Sequence, residues 1–332
     1  VGGGRGLDVD FFEVGLAEGD QILMCSDGLT DMLEDEEIFE IYKRNLPFIT
    51  RKKEIVLQIL SNTHNIILEK REKSGKLTGI SVINRNTLLL LCVDAGYRNQ
   101  GIGTGLLEQS EQIVKNNGYK KIVAGNGYDY IMPGVPTSRR YFDAENEELY
   151  QELDENASVF FQKRGYIHSW NCNCFDMKLL LKNFTSECFK VGNSIDGVTY
   201  CWAELKDIEK VCACTDDAYK EFTWYYQNKG LYQEDSPSRV LVAVINGEII
   251  GTLIITAGDE CKKSGSLACI TVKRAYQGRH IGVNLIYLAN SYLKEKRMEE
   301  AYIGYTYTGL DHMYGYAGYK ICIYYMMAEK EL

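Results

Sequence analysis

Arg98-Asn99-Gln100-Gly101-Ile102-Gly103 and Gln277-Gly278-Arg279-His280-Ile281-Gly282 are two versions of one turn. Each follows a short apolar run, Leu88–Val93 or Leu267–Val272, with the composition of a buried strand. Each opens at once into a helical pattern. Leu106, Leu107, Ile113 and Val114 recur on a 3.6-residue period in the first, as do Leu285, Ile286, Tyr292 and Leu293 in the second. Gly118 is placed to stop the first helix. A strand that ends in a glycine-rich turn and starts a helix is an anion site by geometry. The first helical N–H groups have no partner in the helix, and its dipole favours negative charge there.

Outward from the turns, the flanking elements repeat as well. Gly75-Lys76-Leu77-Thr78-Gly79 corresponds to Gly247-Glu248-Ile249-Ile250-Gly251. The second copy spells out a hairpin: Arg239–Ile245, the turn Asn246-Gly247, then Ile249–Thr256. After the helix comes a strand, Lys120–Ala124 or Ala301–Tyr305. A helical turn closed by Gly-Tyr follows, Phe160–Tyr166 or Met313–Tyr319. The first copy carries an insertion around Gly127–Glu155, with a loop signal at Met132-Pro133-Gly134-Val135-Pro136. The second is preceded by a strand, Val198–Ala203, and a helical region, Glu204–Asn228. These patterns divide the chain into 1–62, 63–183 and 190–332, with the second boundary in the polar run Asn183–Gly197.

No Gly-X-Gly-X-X-Gly or Gly-Lys-Ser/Thr is present, and a hairpin precedes the turn, which opposes a dinucleotide or P-loop reading. Arg98-X-X-Gly101-X-Gly103 instead resembles the acetyl-coenzyme-A signature of the GNAT N-acetyltransferases, R/Q-X-X-G-X-G/A. The element order resembles that family too, in two tandem copies. The resemblance implies a mixed α/β fold of two GNAT-like domains, each a largely antiparallel mixed sheet flanked by helices. It implies acetyl-CoA as co-substrate. Its pyrophosphate would be held at Arg98, Asn99, Gln100, Gly101, Ile102, Gly103 and Thr104, or at Gln277, Gly278, Arg279, Ile281 and Gly282. Its pantetheine arm would lie along the strands ending at Val93 and Val272. A primary amine would attack the thioester directly, without a metal.

The copies depart from that pattern in different places. The family's aromatic helix turn often carries a Tyr that donates a proton to the leaving thiolate. The second copy has Tyr314 there and the first has Phe161. The second signature has His280 where the first has Gly101, and a β-carbon there is expected to narrow the approach. One copy is then catalytic and the other binds, scaffolds or is vestigial, with Tyr314 favouring the second. For a general base the sequence offers Asp94, Asp311, His280 and His312. The two aspartates read as solvated surface groups and the histidines as structural ones. Tyr305 and Tyr307 follow a strand that faces the cleft in the family, so they either shape a substrate pocket or pack.

The first sixty residues stand outside the repeat. Cys25-Ser26-Asp27-Gly28-Leu29-Thr30-Asp31 resembles the late segment of PP2C-type metal-dependent phosphatases, in which the Asp matching Asp27 helps bind a divalent cation. The early Asp-Gly-X-Gly motifs and the terminal Asp-Asn of that family are missing, so no metal site is assigned. The stretches Gln21–Cys25, Glu34–Arg44 and Lys52–Leu60 are alternatively the strand and helices that the first repeat lacks.

The 332 residues carry 46 acids and 37 bases, a net charge of −9, which opposes a general nucleic-acid binder. That balance favours a cationic amine through electrostatic steering. No apolar run reaches the ~20 residues that span a bilayer, and Val1–Asp10 lacks the pattern of a secretory leader. The expectation is a cytoplasmic protein without nucleic-acid or membrane partners. Its eleven cysteines are read as reduced thiols, because a chain of this length can build its core without disulfide staples, and Cys172/Cys174 and Cys212/Cys214 lack zinc-site spacing. The reading is an N-acetyltransferase acting on a small-molecule or peptide amine. A non-catalytic acyl-CoA-binding module and a phosphatase remnant stay open beside it.

Overall fold

The computed structural model describes residues 59–60, 62–124, 133–137, 157–185, 197–258 and 263–332. The phosphatase-like motif with Asp27, and most of the 127–155 insertion, lie outside the described residues.

The first repeat contributes β1 (Ile66–Arg71), β2 (Leu77–Asn84), β3 (Thr87–Val93), α1 (Ile102–Asn116), β4 (Lys121–Ala124), β5 (Val135–Thr137), α2 (Ala157–Gln162), β6 (Ile167–His168) and β7 (Cys174–Leu180). The second contributes β8 (Thr199–Trp202), α3 (Ile208–Ala218), α4 (Thr223–Tyr226), β9 (Ser238–Ile245), β10 (Glu248–Thr256), β11 (Ser264–Val272), α5 (Ile281–Glu295), β12 (Glu300–Tyr307), α6 (Asp311–Gly315), β13 (Lys320–Met326) and β14 (Ala328–Glu331). The expected mixed fold is present, as two largely antiparallel sheets with helices packed on them.

The helices form where the apolar period placed them. Leu106, Leu107 and Val114 of α1 are buried, as are Leu285, Ile286 and Leu293 of α5. Burying each such side chain stabilises by ~1.5–3 kcal/mol. Where each helix crosses its sheet a glycine makes room. A β-carbon on Gly79 would sit 2.8 Å from Ile102, and one on Gly251 would sit 3.0 Å from the equivalent Ile281. The Gly-Tyr tyrosines match as well. Tyr166 donates to Glu111 at 3.1 Å, and Tyr319 to Asn290 at 2.7 Å, at the same helical offset.

Two departures from the sequence expectation matter. Val135–Thr137, read as loop, is an edge strand paired with β13, where Pro136 costs no ladder bond if its missing N–H faces outward. More consequentially, the repeats exchange their last strands. The first sheet runs β1-β2-β3-β4-β14-β6 and the second β5-β13-β7-β12-β11-β10-β9-β8. β14, from the end of the second repeat, pairs with β4 and β6. β7, from the first repeat, lies between β12 and β13. The sheets are therefore not built from the contiguous stretches 63–183 and 190–332. The exchanged strands occupy equivalent sites: Leu332 N donates to Lys120 O at 2.8 Å, and Leu181 N to Glu299 O at 2.9 Å.

Candidate active site

Each sheet opens into a wedge between two parallel strands. β3 and β4 pair only at Thr87↔Val123, and β11 and β12 only from Ser264↔Glu300 to Ser266↔Tyr302. Beyond those pairs the strands part, and each signature turn caps the open end.

The two turns share one backbone and divide its glycines differently. Both need the left-handed region at two positions. Asn99 and Gly101 take it in the first, with φ 61° and 84°; Gly278 and His280 take it in the second, with φ 74° and 60°. Neither α1 nor α5 has a side-chain cap, so the first-turn amides depend on another acceptor. A β-carbon on Gly101 would have no neighbour within 4 Å. At His280 the cost within the fold is left-handed backbone strain rather than a clash with protein atoms. Gly103 and Gly282 are the crowded positions. A β-carbon on Gly103 would lie 3.4 Å from Val93 and 3.6 Å from Phe160; on Gly282 it would lie 3.2 Å from Met313 Sδ and 3.7 Å from Val272.

Arg98 and Gln277 do the same work. Arg98 Nε donates to the Val93 carbonyl at 3.3 Å, and Gln277 Nε2 to the Val272 carbonyl at 2.9 Å. Both tie the turn to the end of its strand, which explains why Arg and Gln alternate there. Gln100 Nε2 reaches the Gly96 carbonyl at 3.4 Å. Arg279 is exposed beside the Tyr276 ring, 5.9 Å away. A cation that the sequence reading missed sits beside the first turn. Arg164 donates to Thr104 Oγ1 at 2.5 Å and to the Phe160 carbonyl at 2.9 Å, and stacks on the Phe160 ring. Its Nε is buried without a partner. Gly165 and Gly318 align the two helical turns, so the second repeat has Ala317 at that position. The first turn of α1, Ile102 to Thr104, is half-exposed, whereas Ile281, Gly282 and Val283 are buried.

The second wedge has Tyr314 where the first has Phe161. Tyr314 is 6% exposed, and among the described residues its hydroxyl has no hydrogen-bond partner. Burial, with the Tyr307 phenol and Cys269 thiol nearby, raises its pKa well above the ordinary phenol range, so it stays protonated. On the other face β11 bulges at Cys269, φ 53°, where the register with β10 shifts. Tyr226 holds the bulge by donating to the Cys269 carbonyl at 2.6 Å, and accepts from Thr252 at 3.0 Å. The bulge in β3 falls deeper, between the Val82↔Leu90 and Ile83↔Leu88 pairs, with no left-handed residue in the strand.

The four candidate bases do not enter this arrangement as read. Asp94 is buried at 4% exposure, contrary to its reading as solvated. It accepts from Gly96 N at 2.9 Å and lies 3.7 Å from Lys76, so it shapes the turn. Asp311 accepts from Gly309 N at 2.9 Å, ahead of α6. His280 is the left-handed cap of α5, and His312 is exposed on α6. An acid that the sequence reading passed over lies within the second sheet. Asp176, on the exchanged β7, accepts from Tyr325 Oη at 2.6 Å, from Tyr305 N at 2.7 Å, and from the Tyr302 hydroxyl.

Uncapped helix N-termini, a left-handed pair of turn residues and close-packed Gly103 and Gly282 fit a phosphate-bearing ligand whose arm runs into a wedge. Comparison with known proteins agrees. The acetyltransferase (GNAT) family profile matches residues 35–129 and 202–319. The first match begins upstream of residue 62, within the stretch set apart from the repeat. No curated relative matches the sequence. Among solved structures, a tandem GNAT protein from the clavulanic acid biosynthesis pathway is 13% identical, with TM-score 0.64, covering 93% of this chain and 97% of its own. A GCN5-related N-acetyltransferase from Sphaerobacter thermophilus is 14% identical, with TM-score 0.61, covering 91% and 93%. The glucosamine N-acetyltransferase region of a fungal multi-domain GH3 β-N-acetylglucosaminidase is 21% identical, with TM-score 0.65. It covers 91% of this chain, which spans 37% of that fungal protein. At these identities the neighbours speak for the fold, while the profile matches cover more than half of the chain: the protein belongs to the GNAT acetyltransferase family, with two GNAT units in tandem.

Proposed function

We propose that the chain transfers an acetyl group from acetyl-CoA to a primary amine, that the reaction takes place in the second wedge, and that the first repeat binds acyl-CoA without turning it over. The observation that carries this is Tyr314, a protonated and unengaged phenol, where the first wedge has Phe161. The amine nitrogen attacks the thioester carbonyl, the C–N bond forms and the C–S bond breaks. The departing thiolate takes the Tyr314 proton. The first repeat offers the better anion seat, with a half-exposed helix start, Gly101 and Arg164. It lacks a donor for the leaving group.

The acceptor class is a small-molecule or peptide amine. Glucosamine is worth testing because of the fungal neighbour, and spermidine because of the chain's net charge of −9. The family match from residue 35 supports assigning most of the stretches Glu34–Arg44 and Lys52–Leu60 to the first unit rather than to phosphatase machinery.

The test is calorimetric titration with acetyl-CoA, alongside thiol release in the presence of glucosamine or spermidine. Gly103→Glu should remove one binding event. Gly282→Glu should remove the other and, with it, thiol release. Release lost through Gly103→Glu instead would move the chemistry to the first wedge.

A further inference from the structure

Asp176 is 3% exposed, and a buried carboxylate needs a reason. Strand pairing does not supply one. Counted from the equivalence of Leu332 with Leu181, Met327 holds the position that matches Asp176, and it is fully buried, packed with Cys174, Ile323 and Tyr325. An apolar residue thus meets the structural demand of the exchanged position. The acid is present only on the strand given to the second sheet.

Its surroundings point into the wedge. Tyr302 makes the last pair before β11 and β12 separate, and its hydroxyl bonds to Asp176 Oδ2. The next residue on that face is exposed Gly304. A β-carbon there would stand 3.5 Å from the Tyr302 ring and 3.7 Å from Asp176 Oδ1. Cys269 and its Tyr226 support pack on the same face across the opening. Tyr314 belongs to the core on the opposite face, against α5.

We propose that the first repeat completes the second repeat's site: Tyr302 takes a proton from the incoming ammonium as it passes its own proton to Asp176. An N–H bond breaks as an O–H bond forms at Tyr302 Oη; that phenol's O–H bond breaks as one forms at Asp176 Oδ2. Tyr302 is the catalytic residue and Asp176 a positioning residue acting through it. The inference rests on the second wedge being the reacting one.

The other groups facing Asp176 are Tyr305 from β12, Tyr325 and Cys322 from β13, and Cys174 and Lys178 on its own strand. Lys178 is paired with Glu300 at 3.1 Å. Burial raises the Asp176 carboxyl above the ordinary carboxylate range, against the lowering effect of its three hydrogen bonds. The acid limb of the rate profile should therefore lie above that range, with activity lost as pH falls and Asp176 takes up a proton.

The experiment measures thiol release from acetyl-CoA by the full chain, with glucosamine and with spermidine, across pH. Asp176→Asn and Tyr302→Phe should each lower kcat about 100-fold near neutrality. They should leave the KM for acetyl-CoA in place and recover toward wild type at alkaline pH, where the free amine needs no base. If Asp176→Asn does not fold, Tyr302→Phe carries the test, since it leaves Asp176 bonded to Tyr325 and to Tyr305 N. A pH profile parallel to wild type in the folded variants, while Gly282→Glu is inactive, overturns this inference alone. Full release by Gly282→Glu, or none by wild type on either amine, overturns the reading beneath it as well.

Discussion

In the first wedge a glycine takes the left-handed cap, an arginine stands beside Thr104, Phe161 and Val123 hold the wall positions, and Met327 is the strand residue that matches Asp176. In the second wedge histidine takes the cap, alanine replaces the arginine, and the matching wall residues are Tyr314, Tyr302 and Asp176. The backbone differs little between them, because the same left-handed positions, helix stops and closing strand pairs recur. What differs is which part of a two-part task each wedge has kept. Under the proposed reading, one keeps the features that would seat a phosphate and the other the groups that would move protons. The strand exchange makes the division mutual, since the second wedge takes its acid from the first repeat.

The largest expected effect is on turnover. Tyr314→Phe, which gives the second wedge the first wedge's residue, should lower kcat by about 100-fold, the low end for a general acid, because thiolate is a good leaving group. The reciprocal Phe161→Tyr should create no turnover in a Gly282→Glu background, since the first repeat has Val123 where the second has Tyr302. Thiol-release kinetics on both variants check the contrast. A Phe161→Tyr variant that turns over would reduce the difference between the wedges to one hydroxyl.

Next in size is the support of the bulge. Tyr226 is completely buried, and its hydroxyl joins the Cys269 carbonyl to Thr252, which also lies 2.6 Å from Thr271. Tyr226→Phe should destabilise by ~1–3 kcal/mol, because it strands buried polar groups without partners. Urea denaturation measures the loss. A cost near zero would mean that strand pairing alone fixes the left-handed Cys269, and that the two bulges differ only in position.

The signature turns, their helices and the Gly-Tyr closures were legible in the sequence because each is a local pattern. Periodicity and turn residues fix them within a few positions. The exchange of β7 and β14 was not legible. Each strand makes the same pairing in either sheet, so Cys174–Leu180 reads equally well as the last strand of its own repeat. Asp176 was missed for the same reason, although an acid in an apolar run was visible. Arg98, read as a phosphate contact, also braces Val93, and only the matching Gln277 bond makes that bracing plain. Asp94 read as surface because its burial depends on the turn that it closes.

The smallest effect concerns the caps. A left-handed L-residue costs roughly 1–2 kcal/mol, and the freedom that glycine loses on folding returns about 0.5–1 kcal/mol of that. His280→Gly should therefore stabilise by up to about 1 kcal/mol, and Gly101→His should destabilise by a similar amount. Thermal unfolding of the two variants reads both signs. The substitutions separate strain from access, since a β-carbon at Gly101 would meet nothing within 4 Å. If His280→Gly also tightens acetyl-CoA binding, the imidazole obstructs the seat and the second wedge has given up affinity as well as stability at its cap. Unchanged binding would leave backbone strain as the only difference between the two caps, with both helix starts equally open to a phosphate.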